Sequence, residues 1–567
     1  MTVQPQSPHP WHAAYPDAAA WNAPLDIVTL PELLERARRR FGDRPLIEFR
    51  DRTIGFEDFA ARVDALAAGL LRIGIGPGTP IAHLLPNTPW FPICFFAAAR
   101  IGARIVHISP LDAPREIVFK LADSGARTLV TTNIGGMAER AGALVAGGHV
   151  DRLLVGDDAI WGPSPATDAV AWSDTVLPLP TAAPPVAWPE VDRDDIAVLQ
   201  YTGGTTGLPK GAMLSHANLT AADAIYRNWR TDRVVSDDVA DQDRVVCVLP
   251  MFHIFALTVT LLRSVSEGAL MLLRPRFDVD TLLEDIGRKK ATAFAGVPTM
   301  WIALANHPKA GECDFSSLRD CVTGGAAIPF EIEQRVTRLV GQRLLNGWGM
   351  TETSPAGTRV VPGSPAQPNL IGIPLPGIDI RIVSLDDPDQ ALGFHETGEI
   401  AIRGPNVFKG YWNRPEETAK SFADGWFLTG DIGQMDESGQ VFLLDRKKNM
   451  IISSGFNVYP ASIEQAIYEH EDVAEAIVIG IPDEYRGQAA KAFIALKPGA
   501  EPITLEDLRA FLAERVGRHE MPAALELRDQ LPRSPVGKLL AKVLIDEETA
   551  KRQQAPAEPA PNLQATL

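Results

Sequence analysis

The chain has 567 residues, too many for one compact core, and its length points to about three to five domain-sized units. Its composition, 46% hydrophobic and 22% charged, is that of an ordinary globular protein. A net charge of −17 argues against nucleic acid as a partner, so an anionic substrate must be held by local cations. The cysteines Cys94, Cys247, Cys313 and Cys321 are scattered without a C-x-x-C pair. They read as small buried apolar residues in a reducing compartment. Residues 1–24 hold no basic stretch followed by an apolar run. No signal peptide is expected, and the location is read as cytoplasmic.

A first helix is predicted at Thr29, where Thr29 and Glu32 have capping-box spacing and Pro31 suits the first turn. Leu33, Ala37 and Phe41 share one of its faces. From there to about residue 180, apolar strands such as 81–85 and 128–132 alternate with Ala-rich helical stretches, predicting α/β units on a parallel sheet. Residues 163–189, rich in Pro, Ala and Thr, read as a surface connection. Further strands at 196–200, 291–297 and 343–346 precede glycine turns and helices. Residues 245–262 are apolar, but Pro250 and His253 would be costly in a membrane. A strand, a turn and a buried helix are expected there. Short alternating strands over 371–403 suggest a small β-rich subdomain. After Asp445 comes a shorter α+β unit. Its clearest helix starts at Thr504 and is capped by Asp507, with Leu505, Leu508, Phe511 and Leu512 on one face. Residues 553–567, rich in Pro, Ala and Gln, read as disordered.

The strongest chemical signal is Tyr201-Thr202-Gly203-Gly204-Thr205-Thr206-Gly207-Leu208-Pro209-Lys210-Gly211, at the end of an apolar strand. Its glycines let backbone N–H groups turn toward an anion, its threonines add hydroxyl donors, and Lys210 adds a point charge. Gly211 after the lysine distinguishes it from the G-x-x-x-x-G-K-[ST] loop. It reads as a phosphate-binding loop. No H-E-x-x-H, G-x-S-x-G or strand-borne G-x-G-x-x-G competes with it.

This loop resembles the phosphate-binding signature of the ANL adenylating enzymes: acyl-CoA synthetases, nonribosomal peptide adenylation domains and firefly-type luciferases. Their other motifs follow in order, and the resemblance spans about residues 29–542. It implies ATP, Mg²⁺ and CoA as co-reactants: an acyl-adenylate and pyrophosphate form first, and the acyl group then passes to a thiol. Asn346-Gly347-Trp348-Gly349-Met350-Thr351-Glu352-Thr353 resembles the adenine and magnesium motif. There Trp348 and Gly349 would lie beside the purine, Thr351 would bond the α-phosphate, and Glu352 would be a hard oxygen ligand for Mg²⁺. Most relatives carry tyrosine where this chain has Trp348. Gly324-Gly325-Ala326 resembles the backbone wall beside adenine. Asp431 in Thr429-Gly430-Asp431 and Arg446 match the ribose contacts. Lys448 matches the hinge, Gly455 the pantetheine approach, and Lys538 in Pro532-Arg533-Ser534-Pro535-Val536-Gly537-Lys538 the mobile catalytic lysine.

The implied fold is α/β: an N-terminal adenylation domain over 1–444, of two α/β subdomains and a small β-barrel-like one. A hinge at 445–448, a mobile α+β C-terminal domain at 449–548 and a disordered tail at 549–567 follow. Leu249-Pro250-Met251-Phe252-His253-Ile254-Phe255-Ala256 resembles the acyl-pocket segment of fatty acyl-CoA synthetases, and Val297 would line the channel. His253 reads equally as a gate or as a core histidine. The implied activity is a medium- to long-chain fatty-acid–CoA ligase acting on fatty acid, ATP and CoA, with at most peripheral membrane association. A dicarboxylate (pimelate-type)–CoA ligase and a carrier-protein loader are the alternatives within the superfamily. A non-catalytic relative is disfavoured because Lys210, Glu352, Asp431, Arg446 and Lys538 occur together.

Overall fold

Helical crossovers Trp90–Arg100 and Met137–Ala146 each join neighbouring parallel strands, while Pro114–Ser124 carries the chain from Arg104–His107 past Pro80–His83 to Thr128–Thr132. In this computed structural model the described residues are 9–15, 20–162, 186–202, 209–230, 235–236, 238–326, 328–454, 456–483, 486–533 and 539–554. Among them one six-stranded sheet runs in the order Arg152–Gly156, Thr128–Thr132, Pro80–His83, Arg104–His107, Ile196–Thr202, Lys210–Ser215. All five residues of Thr128–Thr132 are buried, as expected of a strand covered on both faces. The last pair differs: Ile196–Thr202 and Lys210–Ser215 are antiparallel, with Thr202 opposite Lys210 and Tyr201 opposite Gly211. The glycine-rich segment therefore connects two paired strands, not a strand to a helix as the sequence pattern suggested.

A second sheet carries the parallel strands Arg244–Cys247, Ala293–Gly296, Asp320–Thr323 and Leu345–Trp348 side by side. It continues into antiparallel strands through Thr358–Arg359, Leu370–Pro374 and Val441–Arg446, the β-rich part. The strand expected at 343–346 sits two residues later, which leaves Trp348 as its last residue. The apolar run at 245–262 is a strand, then Ile254–Ala256, then the π-helical Leu257–Leu262, whose six residues are all buried. Among the described residues no helix is long and apolar enough to cross a membrane. At the first helix, Leu30–Phe41, Thr29 accepts the N–H of Glu32 at 3.3 Å. Only this half of the expected capping box is formed, because the Glu32 carboxylate turns to Arg36 one helical turn on.

The chain divides into two units, Met1–Leu443 and Leu444–Leu567. The second is an α+β unit built on the antiparallel pair Val473–Asp483 and Gly487–Leu496. Its helix Leu505–Leu512 begins with a complete capping box between Thr504 and Asp507. Its last helix, Ala541–Gln554, runs into the stretch expected to begin the disordered tail, so residues 549–554 are helical.

Candidate active site

The N-terminal unit assembles most of the expected nucleotide residues from strand ends. The strand that leads into the expected phosphate loop is anchored by Tyr201, whose hydroxyl donates to Asp123 Oδ2 at 2.7 Å. Its ring covers Gly211, where an added Cβ would meet the phenol carbon at 3.3 Å. Lys210 forms an ion pair with Glu417, and its ammonium lies 5.3 Å from the centre of the Tyr411 ring. The strand bearing Lys210 also bonds along 409–412, with Met213 N–H donating to Gly410 and Trp412 N–H to Gly211. Gly203, Gly204, Thr205 and Thr206 lie outside the described residues.

Tyr411 joins Lys210 to Glu352. Its hydroxyl donates to Glu352 Oε1 at 2.8 Å, and Phe408 N–H donates to the Glu352 carbonyl at 2.8 Å. Glu352 is 5% exposed and sits in the single turn Thr351–Thr353. That turn is tied down by the Asn406 amide, which donates to the carbonyls of Thr353 and Ala356. Gly349 is obligatory here: a Cβ on it would fall 1.3 Å from the Pro355 carbonyl oxygen. Trp348, 7% exposed, donates its indole N–H to Asp431 Oδ2 at 2.7 Å. Asp431 belongs to a turn fixed on both sides: its N–H donates to Thr429 Oγ1, and Gly430 N–H donates to Glu399 Oε1. Gly325 and Ala326 are exposed. Sequence reasoning passed over Tyr411 and Glu417; the signal available was the aromatic–acidic cluster of 408–417.

The candidate acyl segment packs onto this wall. A Cβ on Gly324 would touch the Phe255 ring at 3.2 Å, and Thr258 Oγ1 donates to the Ser354 carbonyl at 2.8 Å. Asn87, between the strand Pro80–His83 and the helix Trp90–Arg100, bonds Leu249 and Met251, and Gln200 of the six-stranded sheet donates to the Phe252 carbonyl at 2.8 Å. His253 Nδ1 accepts the N–H of Phe255 at 3.3 Å, capping the next turn, so the neutral ring carries its proton on Nε2. Val297 is 3% exposed and precedes the helix Pro298–Asn306.

In the C-terminal unit, Arg446 and Lys448 are exposed. Arg446 ends the strand Val441–Arg446 and Lys448 lies in the turn after it, beside Asp445, whose carboxylate accepts the N–H groups of Arg446 at 2.6 Å and Ala461 at 2.8 Å. Gly455 and Lys538 lie outside the described residues.

A glycine-rich segment between two paired strands, a buried carboxylate near Lys210 through Tyr411 and a separate α+β unit match the expected adenylate-forming arrangement. The chain belongs to the AMP-binding enzyme family: residues 34–412 match that family and residues 462–538 its C-terminal domain. It is 36% identical to a long-chain-fatty-acid–CoA ligase of Bacillus subtilis over 96% of this chain and 99% of that protein. A feruloyl-CoA synthase of an Amycolatopsis species is 36% identical over 86% of this chain and 92% of its own length. The solved o-succinylbenzoate coenzyme A synthetase of Bacillus subtilis, in complex with ATP and magnesium ion, superposes with a TM-score of 0.75 at 29% identity. The match covers 90% of this chain and 98% of that one.

Proposed function

We propose that the protein is a medium- to long-chain fatty-acid–CoA ligase. A carboxylate oxygen attacks the α-phosphorus of ATP and pyrophosphate leaves; the CoA thiol then attacks the acyl carbon and AMP leaves. The observation that carries the reading is the near-full-length similarity to a long-chain-fatty-acid–CoA ligase in a chain that keeps Lys210, Glu352, Asp431, Arg446 and Lys538.

In this reading Thr202 to Thr206 and Lys210 bind the phosphates, with Thr351 on the α-phosphate. Gly325, Ala326, Trp348 and Gly349 bound the adenine, and Asp431 and Arg446 take the ribose. Glu352 would hold Mg²⁺. A single buried carboxylate fits that ion, because Mg²⁺ takes most of its oxygens from phosphates and water. Bound there, the ion supplies charge neutralisation at the phosphates. Lys538 would reach the reacting carboxylate and α-phosphate, Lys448 would be the hinge, Gly455 would admit the pantetheine arm, and His253 and Val297 would face the acyl chain. A cytoplasmic enzyme meeting membranes at most peripherally fits the acidic net charge.

The acid itself is argued from what the far end of a dicarboxylate requires. Arg274 is buried and already paired with Asp285 and Glu48, and Arg276 is exposed, so neither is placed as a counter-charge in an apolar pocket. That favours fatty acids, whose burial gains about 0.8 kcal/mol per methylene. Pyrophosphate and AMP release, measured over straight-chain acids and dicarboxylates with and without CoA, tests the reading. Release should rise with chain length, and CoA should convert the product to a thioester. Preferential release with dicarboxylates, or no thioester with any acid, discards it.

A further inference from the structure

We propose that Trp348 serves the nucleotide site through its indole N–H, as the positioning residue that sets the ribose-binding carboxylate of Asp431. The proposal rests on the reading of Asp431 as the ribose contact. An indole has one donor, and here it is committed to Asp431 Oδ2 at 2.7 Å, with both side chains buried. A hydrogen bond to a carboxylate from which water is excluded is among the stronger kinds.

Neither partner has room to adjust. Trp348 is held in register opposite Thr358, whose hydroxyl donates to the Ile371 carbonyl at 2.6 Å. The six-membered ring lies on Gly357, where a Cβ would come within 2.5 Å of it. On the other side, the Thr429-Gly430-Asp431 backbone is pinned by Thr429 and Glu399, and Thr429 Oγ1 itself donates to the Ile400 carbonyl at 2.7 Å. The indole bond to Oδ2 then restrains rotation of the Asp431 carboxylate. A carboxylate set before the nucleotide arrives presents its oxygens to ribose hydroxyls without an ordering cost at the moment of binding. Specificity for ribose over deoxyribose thus depends on Trp348 as well as on Asp431.

The test compares wild type, Trp348→Phe and Asp431→Asn in the full-length enzyme, by pyrophosphate release with ATP, 2′-deoxy-ATP and 3′-deoxy-ATP. Phenylalanine keeps a ring on Gly357 and deletes the donor. The kcat/KM preference for ATP over the deoxy analogues should fall about tenfold, through KM for ATP rather than kcat. A merely structural role would lower Tm and depress all three nucleotides alike, leaving the ratio unchanged; that result overturns the proposal. Should the phenylalanine variant be insoluble, Trp348→Met fills the space without a donor, and the same ratio decides. Asp431→Asn separates the two claims. If it collapses the preference while the Trp348 variants keep it, only the role of Trp348 fails. If it too keeps the preference, the ribose reading of Asp431 fails with it.

Discussion

Glu352 and Asp431 are 5% and 2% exposed, and each has one carboxylate oxygen bonded to an aromatic side chain, Tyr411 or Trp348. Arg446, Lys447 and Lys448 of the C-terminal unit are exposed side chains on a turn. The buried carboxylates have already met their ordering cost in folding. The carboxylates expected at the nucleotide are thus set within the folded N-terminal unit, while Arg446, Lys447 and Lys448 of the second unit lie at the surface.

The largest effect expected from breaking this division lies in the cation that the second unit would deliver. A lysine about 4 Å from the reacting charges, at an effective dielectric near 20, interacts by roughly 4 kcal/mol before desolvation. With about 3 kcal/mol expressed in the transition state, Lys538→Ala should slow adenylate formation on the order of a hundredfold. Thioester formation from supplied acyl-adenylate should be largely kept. Equal losses in both half-reactions, measured separately, would contradict the two-unit division of labour.

A smaller effect is expected on the prebuilt side. Tyr411→Phe removes the phenol that orients Glu352 and should lower kcat/KM for ATP about tenfold, with more Mg²⁺ needed for half-maximal rate. Steady-state kinetics over a magnesium series reads this directly. An unchanged magnesium dependence would leave Tyr411 with only a packing role.

The last effect concerns stability alone and leaves catalysis untouched. Glu464 in the C-terminal unit accepts the Val478 N–H at 2.7 Å, and burial pushes its carboxyl up from 4.5 to about 8. The folded state then keeps a proton that the unfolded chain loses. Stability should therefore fall as pH rises from about 4.5 to about 8, by up to roughly 1.4 kcal/mol per unit. Glu464→Gln cannot ionise and keeps the acceptor, so its Tm should exceed that of the wild type at pH 8 and approach it at pH 5. Parallel Tm curves for the two proteins, by calorimetry, would remove Glu464 as the cause.

Local patterns were readable without coordinates. The Thr504–Asp507 box and the alternation of strands with Ala-rich helices follow from spacings of three to a few tens of residues, which the backbone itself imposes. The strings expected to form the nucleotide site were also legible in the sequence, several of them after a strand. Their pairing was not. Trp348 and Asp431 are 83 residues apart, and Tyr411 and Glu352 are 59 apart. No periodicity links positions at such distances, so only the order of strands in the sheets brings them together. The same holds for the antiparallel return of Lys210–Ser215 onto Ile196–Thr202; the pairing of Glu32 with Arg36 is by contrast local, one helical turn apart. Sequence alone determined the chemistry available, because donor, acceptor and charge are properties of the residue. The tertiary structure decided which donor meets which acceptor, because that depends on strand register and burial between distant segments.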